Sequence, residues 1–368
     1  MTKICIVVSD MFHFGGAERV AANLANCFCE KYEITLISTF GDDQPIAYSL
    51  DPRIKFYYIA DKNIRLRYCY IRACRKLNAI LNRISPDVTL LVHASTYVFL
   101  PAFWKVKTKC VACEHMNLKN KFSTSSLGSK IKRLYAVLKC NKIVTLTQAD
   151  KDNYIEKYHF SDKKVVSIYN WIEPEVLDFF KVRDGQAKKI ISVGRFDPVK
   201  GYEMLVEVAG EALRKYPDWE WHIYGAGDDR YREEIQQMIE SYHLEDRLII
   251  KEPVKAIYEK YSEYSFLVLT SYYEGLPMVL LEAKACGLPV VSFSSPTGPD
   301  EIIMDGINGY LVPCYDIAVM INRMEDLMSN SDRIQELSEN SHLDIEKFQR
   351  NKILNQWEQL FDSLIGER

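Results

Sequence analysis

The sequence predicts an α/β protein built as two doubly wound, mostly parallel sheets, and three observations predict it. Short apolar, β-branched runs alternate with stretches of helical period through the first half, the pattern of an open sheet with helices packed on its faces. A polar, aperiodic stretch, KVRDGQAKK over 181–189, interrupts the alternation, which then resumes. At 368 residues, 48% hydrophobic and 26% charged, the chain is long enough for two such domains.

The elements follow in order. KICIVVS opens as a strand, because its apolar run (Ile4 to Val8) is too short for a signal peptide. A helix from about Ala17 to Lys31 comes next, then strands EITLIST and IKFYYIA, and a helix from about Leu66 to Ile84. Strands VTLLV, KCVACE, KIVTLT and KVVSIY complete the first domain, expected over 1–184. The second, over 185–349, carries IISVGRF, EWHIYGAG, RLIIKEP, FLVLTS and PVVSF. A final helix, 350–368, has Trp357, Leu360, Phe361 and Leu364 at helical spacing and needs a surface to cover; core packing on the first domain is the expectation.

A net charge of −3 conceals an asymmetry: residues 1–184 carry +10 and the remainder −13. Between Lys62 and Lys142 stand 17 basic residues against two acids, Asp87 and Glu114, which points to an anionic partner for the first domain. On the helix from Leu66, residues Arg65, Arg72, Lys76 and Arg83 fall within about 20° of one line, with Leu66, Ala73, Leu77, Ile80 and Ile84 to one side. A second basic stretch, Lys119 to Lys142, includes Arg133 and carries Phe122, Leu127 and Leu134, which could dip into an interface. A solvated face is the plainer alternative. No apolar run reaches the roughly 18 residues that span a bilayer. The ten cysteines are scattered, and Cys110-x-x-Cys113 beside His115 lacks a second pair with ligand spacing, so reduced thiols in a buried strand are expected.

In an open α/β sheet, ligands bind beyond the carboxyl ends of the strands, and two such domains facing each other make a cleft. The strand-to-helix loops therefore carry the chemistry. SDMFHFGGAERV sets Gly15 and Gly16 before a helix, where bare backbone can approach a phosphate, although a tight turn explains two glycines equally well. VGRFDPVKGYE puts Arg195 and Lys200 at a strand end, and HIYGAGDD supplies Gly225 and Gly227. SYYEGLPMVLLEAKACGLPVVSF reads as loop, helix and strand, with Pro277 at the first helical position and Gly287 just past the end. Glu274 then lies in the loop, while Glu282 sits roughly 7 Å along the helix axis from Pro277 at 1.5 Å per residue.

Together these marks resemble the retaining glycosyltransferases of family 4, with the two-Rossmann-domain GT-B fold, and the resemblance covers essentially the whole chain. It is carried by GGAE at Gly15 to Glu18, EHMN containing His115, VGRFDPVKG, the Gly225-Ala226-Gly227 loop, Glu-x7-Glu at Glu274 and Glu282, and PTGPDEII from Pro296. The chain departs from its relatives at Asp228, where they often have proline.

The resemblance implies a catalytic set of His115, Arg195, Lys200 and Glu274. Arg195 and Lys200 are expected to hold the diphosphate of a nucleotide sugar, Glu282 the ribose, and Glu274 the donor-sugar hydroxyls. Gly15, Gly16, Gly225, Gly227, Gly275, Leu276 and Met278 complete the donor site, and His115 reaches the donor sugar from the first domain; a buried, satisfied histidine is the alternative. It further implies retention by front-face displacement, with the departing diphosphate accepting the acceptor's proton. No metal or other cofactor is expected, so Asp42-Asp43 and Asp228-Asp229 are solvated charges. The donor is expected to be a UDP-sugar (Gal, GalNAc, Glc or GlcNAc) and the acceptor a glycan on a polyprenyl diphosphate, in surface-polysaccharide or glycoconjugate synthesis. The basic first domain suggests a cytoplasmic protein, peripheral on the anionic inner face of the membrane and not bound to nucleic acid. A UDP-sugar epimerase or hydrolase on the same scaffold, and a non-catalytic nucleotide-sugar binder, are the rival readings.

Overall fold

Residues 1–13, 15–42, 44–120 and 127–366 are described by the computed structural model of the chain. They form two compact units, Met1–Ile168 with Asn355–Arg368, and Tyr169–Leu354.

The first unit holds seven parallel strands: β1 (Lys3–Val8), β2 (Glu33–Gly41), β3 (Lys55–Asp61), β4 (Val88–Val92), β5 (Lys109–Glu114), β6 (Lys142–Thr145) and β7 (Val165–Ser167). Their order is β3-β2-β1-β4-β5-β6-β7. Every residue of β4 is buried, as expected of a strand covered on both faces. Helices α1 (Gly16–Phe28), α2 (Leu66–Ile84), α3 (Leu127–Lys139) and α4 (Gln148–Tyr158) accompany the sheet. A 3-10 segment, Ala94–Phe103, which local pattern does not reveal, follows β4. The strand order reverses direction between β1 and β4, so the loops after these strands flank the switch point where doubly wound sheets bind ligands.

The second unit begins with the short helix α5 (Pro174–Leu177) and holds β8 (Lys189–Val193), β9 (Glu220–Tyr224), β10 (Leu248–Lys251), β11 (Phe266–Leu269), β12 (Val290–Phe293) and β13 (Gly309–Val312). Their order is β10-β9-β8-β11-β12-β13, all parallel. Strand β13 is an addition to the sequence expectation; four residues beginning with glycine give little period to read. Helices α6 (Tyr202–Lys215), α7 (Asp229–Ser241), α8 (Met278–Ala285), α9 (Ile317–Ser329) and α10 (Ser331–Glu339) follow. Here the switch point lies between β8 and β11, which sets the loop after β8 beside the loop after β11.

Two boundaries differ from expectation. The units divide at Ile168/Tyr169, not at residue 184, because the residues before and within the polar stretch are bound into the second unit. Ile172 bridges Gln349, the Lys181 N–H donates to Cys286 O, and buried Arg183 donates to Cys286 O at 2.9 Å. Helix α11 (Arg350–Gly366) belongs to the first unit only from Asn355. There Trp357, Leu360, Phe361 and Leu364 are buried, and the Phe361 ring lies 5.4 Å from that of Phe28 and 5.7 Å from that of Tyr32. The apolar stripe of the last helix is thus core packing.

Candidate active site

The switch point of the second unit builds the cationic half of the site. After β8, Asp197 accepts from the Val199 N–H at 3.0 Å and starts a 3-10 turn, Pro198–Lys200, that ends at Gly201 with φ of 62°. A Cβ at Gly201 would come within 2.5 Å of Thr270 O, and the Thr270 hydroxyl donates to Lys200 O at 3.1 Å. These contacts tie the Lys200 turn to the end of β11. The Lys200 ammonium consequently meets the Glu274 carboxylate at 2.7 Å, both side chains largely buried. Arg195 is exposed and turned toward Asp197, 3.8 Å away. The structure therefore joins Lys200 with Glu274 and holds Arg195 apart from them.

Glu274 and Glu282 have the different settings that their spacing suggests. Glu274 is half-buried in the loop after β11, where Thr297 donates to its backbone carbonyl at 3.2 Å. Gly298, with φ of 105°, sits so close to this loop that a Cβ would lie 2.8 Å from Gly275 O, so the PTG turn rests on EGLP. Glu282 is buried, 6% exposed, on α8. Pro277 is the residue before the helix rather than its first, with ψ of 99°, and Met278 opens α8. Gly287 has the left-handed φ of 76° expected of it. Leu276 is buried, and Gly275 and Met278 are half-buried. On α8, the ammonium of buried Lys284 donates to Ile302 O at 2.9 Å, anchoring the end of PTGPDEII; burial, reinforced by Lys347, lowers its pKa to about 8.

Gly225 and Gly227 have a structural cause. A Cβ at Gly225 would lie 1.9 Å from Gly194 O, and one at Gly227 2.4 Å from Phe196 O. The two loops are laced by Phe196 N–H to Ala226 O at 2.8 Å and Asp228 N–H to Phe196 O at 2.9 Å. Asp228, expected as a solvated charge, is exposed and also caps α7 by accepting from the Tyr231 N–H at 2.9 Å. An open groove of about 500 Å³ lies here, lined by Arg195, Asp197, Asp228, Arg230, Tyr231 and Glu234 among others.

In the first unit, Gly15 precedes α1, and the Tyr48 hydroxyl bridges it, accepting from its N–H at 3.1 Å and donating to its carbonyl at 3.0 Å. A Cβ on Gly16 would meet nothing within 4 Å, so packing does not require glycine there. His115 directly follows β5 and is half-buried. Burial, with His93 acting in the same sense, lowers its pKa to about 3, so the imidazole is neutral at ordinary pH. His93, which sequence reading passed over, follows β4 in the same manner and has a φ of 75°, unusual for a residue with a side chain. Its position immediately after a buried strand was the available signal.

Cys110 and Cys113 are buried in β5, and burial pushes the Cys110 thiol up to about 12. Among the described residues no group of three or more His, Cys, Asp or Glu is arranged to hold a metal ion. Asp42 pairs with Lys62 at 2.7 Å, and Asp43 lies outside the described residues.

Comparison with known proteins identifies the family of the chain. Residues 14–176 match the model of Glycosyltransferase Family 4, and residues 175–344 match that of Glycosyl transferases group 1. An amylovoran biosynthesis glycosyltransferase of Erwinia amylovora is 26% identical over 98% of this chain and 100% of its own length. An α-1,4-N-acetyl-D-galactosaminyltransferase of Campylobacter jejuni, whose named acceptor is a diacetylbacillosamine-containing glycan on PP-undecaprenol, is 26% identical over 97% of each chain. The crystal structure of HepE from Anabaena, in complex with UDP and glucose, superposes with a TM-score of 0.83 at 17% identity, covering 99% of this chain and 100% of that one. These matches speak against the epimerase, hydrolase and non-catalytic readings. With its two parallel sheets and two family models that together span residues 14–344, the chain belongs to the family 4 glycosyltransferases of the GT-B fold.

Proposed function

We propose that the protein transfers a hexose or N-acetylhexosamine from a UDP-sugar to a glycan on a polyprenyl diphosphate, with retention of anomeric configuration, in surface-polysaccharide or glycoconjugate synthesis. The observation that carries the reading is the Lys200–Glu274 pair at 2.7 Å, eight residues before buried Glu282. A cation touching a carboxylate marks a boundary between two kinds of ligand group. Lys200 offers charge to a diphosphate, and Glu274 offers acceptor oxygens to sugar hydroxyls. Glu282, on α8, takes the ribose hydroxyls, and the α8 amino terminus supplies N–H groups to the phosphates. The UDP bound to HepE and the PP-undecaprenol acceptor of the Campylobacter relative support the choice of donor and acceptor.

In this reading Arg195 leaves Asp197 to join Lys200 on the diphosphate, and both neutralise the charge that develops as the glycosidic bond breaks. The departing diphosphate oxygen, as its bond to the anomeric carbon breaks, takes the proton of the acceptor hydroxyl, and the acceptor oxygen bonds to the anomeric carbon on the face the leaving group vacates. His115, neutral, hydrogen-bonds the donor sugar. The Gly16 backbone approaches a phosphate, and Gly225, Gly227, Gly275, Leu276 and Met278 line the donor site. The positive field of the two cations and the helix amides makes a divalent ion unnecessary.

The acceptor's lipid calls for a membrane surface, and we place it on the first unit. Arg65, Arg72, Lys76 and Arg83 are all exposed, Lys76 over the Tyr58 ring at 4.5 Å and Arg83 over Tyr57 at 5.1 Å. Helix α3 exposes Ile131, Leu134 and Leu138 among Lys130, Lys132 and Lys139. Phe122 and the Leu127 side chain lie outside the described residues. No helix among the described residues is long and apolar enough to cross a membrane, and peripheral attachment to the inner, anionic leaflet suits this face.

The deciding experiment incubates the protein with UDP-Gal, UDP-GalNAc, UDP-Glc and UDP-GlcNAc in EDTA, with and without polyprenyl diphosphate-linked glycans, and measures UDP release and product anomer. Acceptor-dependent release giving an α-glycoside is expected. Acceptor-independent release, an inverted product, or complete loss reversed by Mn2+ would overturn the reading.

A further inference from the structure

The segment that carries His115 is held by buried polar groups reaching it from elsewhere in the fold. Glu114, the last residue of β5, is 3% exposed, and Arg133 of α3 is 6% exposed. The guanidinium grips the carboxylate through two bonds, Nε to Oε1 and Nη2 to Oε2, each 3.2 Å. Two residues beyond Glu114, the Met116 sulfur lies 3.4 Å from His93 Nε2. Two further on, the Leu118 N–H donates to the carboxylate of Asp150, a buried residue of α4, at 2.9 Å. His115 stands between the first two of these anchors. Arg133, part of the basic stretch, is turned inward while Lys130, Lys132 and Lys139 of the same helix are exposed.

Stability does not account for a buried ion pair at this place. Removing two charges from water costs about what their attraction returns, and an apolar pair of similar volume is often as stable or more so. What two parallel N–H···O bonds add is geometry. They fix both distance and angle between helix and strand end, which neither a packed apolar pair nor a single lysine bond does. The element so fixed is the residue directly before His115.

We propose that Arg133, acting through Glu114, is a positioning residue for transfer: it sets the end of β5 so that the His115 imidazole is presented to the donor sugar in one orientation. The inference rests on the reading of His115 as a donor-sugar ligand. Near-attack geometry is sensitive to displacements of about 1 Å, which is the scale of slack that losing a bidentate contact permits. Arg133 itself touches neither substrate nor reacting atoms in this account.

The test separates positioning from folding by using a neutral pair. In the double variant Glu114→Met, Arg133→Met neither a buried charge nor a buried amide is left without a partner, so thermal stability and UDP affinity should stay at wild-type values, while kcat should fall on the order of tenfold with KM for the donor little changed. Arg133→Lys, which keeps the charge and loses the fork, should show the same loss. Combining Arg133→Lys with His115→Ala should then slow transfer no further than His115→Ala does alone, because the two act through one group. Wild-type kcat in both the neutral pair and Arg133→Lys, or losses that multiply in the combined variant, would overturn the proposal. Wild-type kcat in His115→Ala alone would instead overturn the reading of His115 on which it rests.

Discussion

The pairing of Lys200 with Glu274 gives these two residues consequences that Arg195 and Glu282 do not share. Lys200→Ala strands a largely buried carboxylate, so it should cost stability as well as turnover. Arg195→Ala removes an exposed side chain and should cost turnover alone, on the order of a hundredfold if it stabilises diphosphate charge. Thermal melts beside initial rates of transfer distinguish them, and equal melting temperatures for the two variants would contradict the pairing. The carboxylates divide similarly. Glu282→Ala should weaken UDP itself, whereas Glu274→Ala should leave UDP affinity nearly intact and depress transfer; calorimetric titration with UDP reads the difference. His115 adds a dependence on pH. Its folded pKa of about 3 lies below the usual value near 6.5, so the unfolded state takes up the proton first. The stability this contributes is whole above pH 6.5 and is lost as pH falls toward 3. Urea unfolding at pH 7, 5.5 and 4.5 should show the wild type losing stability relative to His115→Gln, and a constant difference across that range would show that His115 does not titrate in this way.

At the scale of elements, α3 is a helix with two faces of different chemistry. Inward, Arg133, Ala136 and Val137 are buried; outward stand Ile131, Leu134 and Leu138 with lysines between them. Such a helix at an anionic surface gains from charge and from apolar burial together, about 1 kcal/mol per engaged cation. The protein should therefore sediment with anionic and not with zwitterionic vesicles. Reversing Arg65, Arg72, Lys76 and Arg83 to Glu should weaken sedimentation and slow transfer to a lipid-linked acceptor, with UDP binding unchanged. Leu134→Ser with Leu138→Ser should make the remaining attachment more sensitive to salt. Indifference of the wild type to anionic vesicles at low salt would remove the membrane from the proposed function without touching the transferase. The limits of α2 were legible at both ends, since its apolar and basic stripes have a clean helical period from Leu66 to Ile84. The 3-10 segment after β4 was not, because a largely apolar run such as ASTYVFLPAF carries no period to read.

At the scale of the molecule, each unit has its own core and its own switch point, and the last helix is the piece that returns in sequence to the first unit. Phe361 is fully buried against Phe28 and Tyr32. Phe361→Ala should destabilise the first unit by about 3–5 kcal/mol and leave UDP binding by the second intact. Denaturant unfolding followed by UDP titration checks this; a parallel loss of UDP affinity would mean that the units do not fold independently. The division at Ile168/Tyr169 rather than at KVRDGQAKK has the same origin as other differences from expectation. The polar, aperiodic stretch at which the alternation breaks is bound into the second unit, because Lys181 and Arg183 contact Cys286, roughly a hundred positions away.

By itself the sequence determined the alternation of strands and helices, the loops that hold Gly15, Arg195, Lys200 and Glu274, and the left-handed turn at Gly287. Each of these depends on neighbours within one turn or one strand: hydrophobic period, proline's fixed φ, glycine's freedom. Tertiary structure alone decided which side chains meet. Lys200 pairs with Glu274 because β11 inserts beside β8, where Phe266 registers with Ile190, 76 positions away in the chain. Arg133 turned inward to Glu114, although the local period of its helix marks it only as basic and amphipathic. Charge pairing is a property of distance in space, and distance in space is settled by the order of strands in a sheet, which no local pattern encodes.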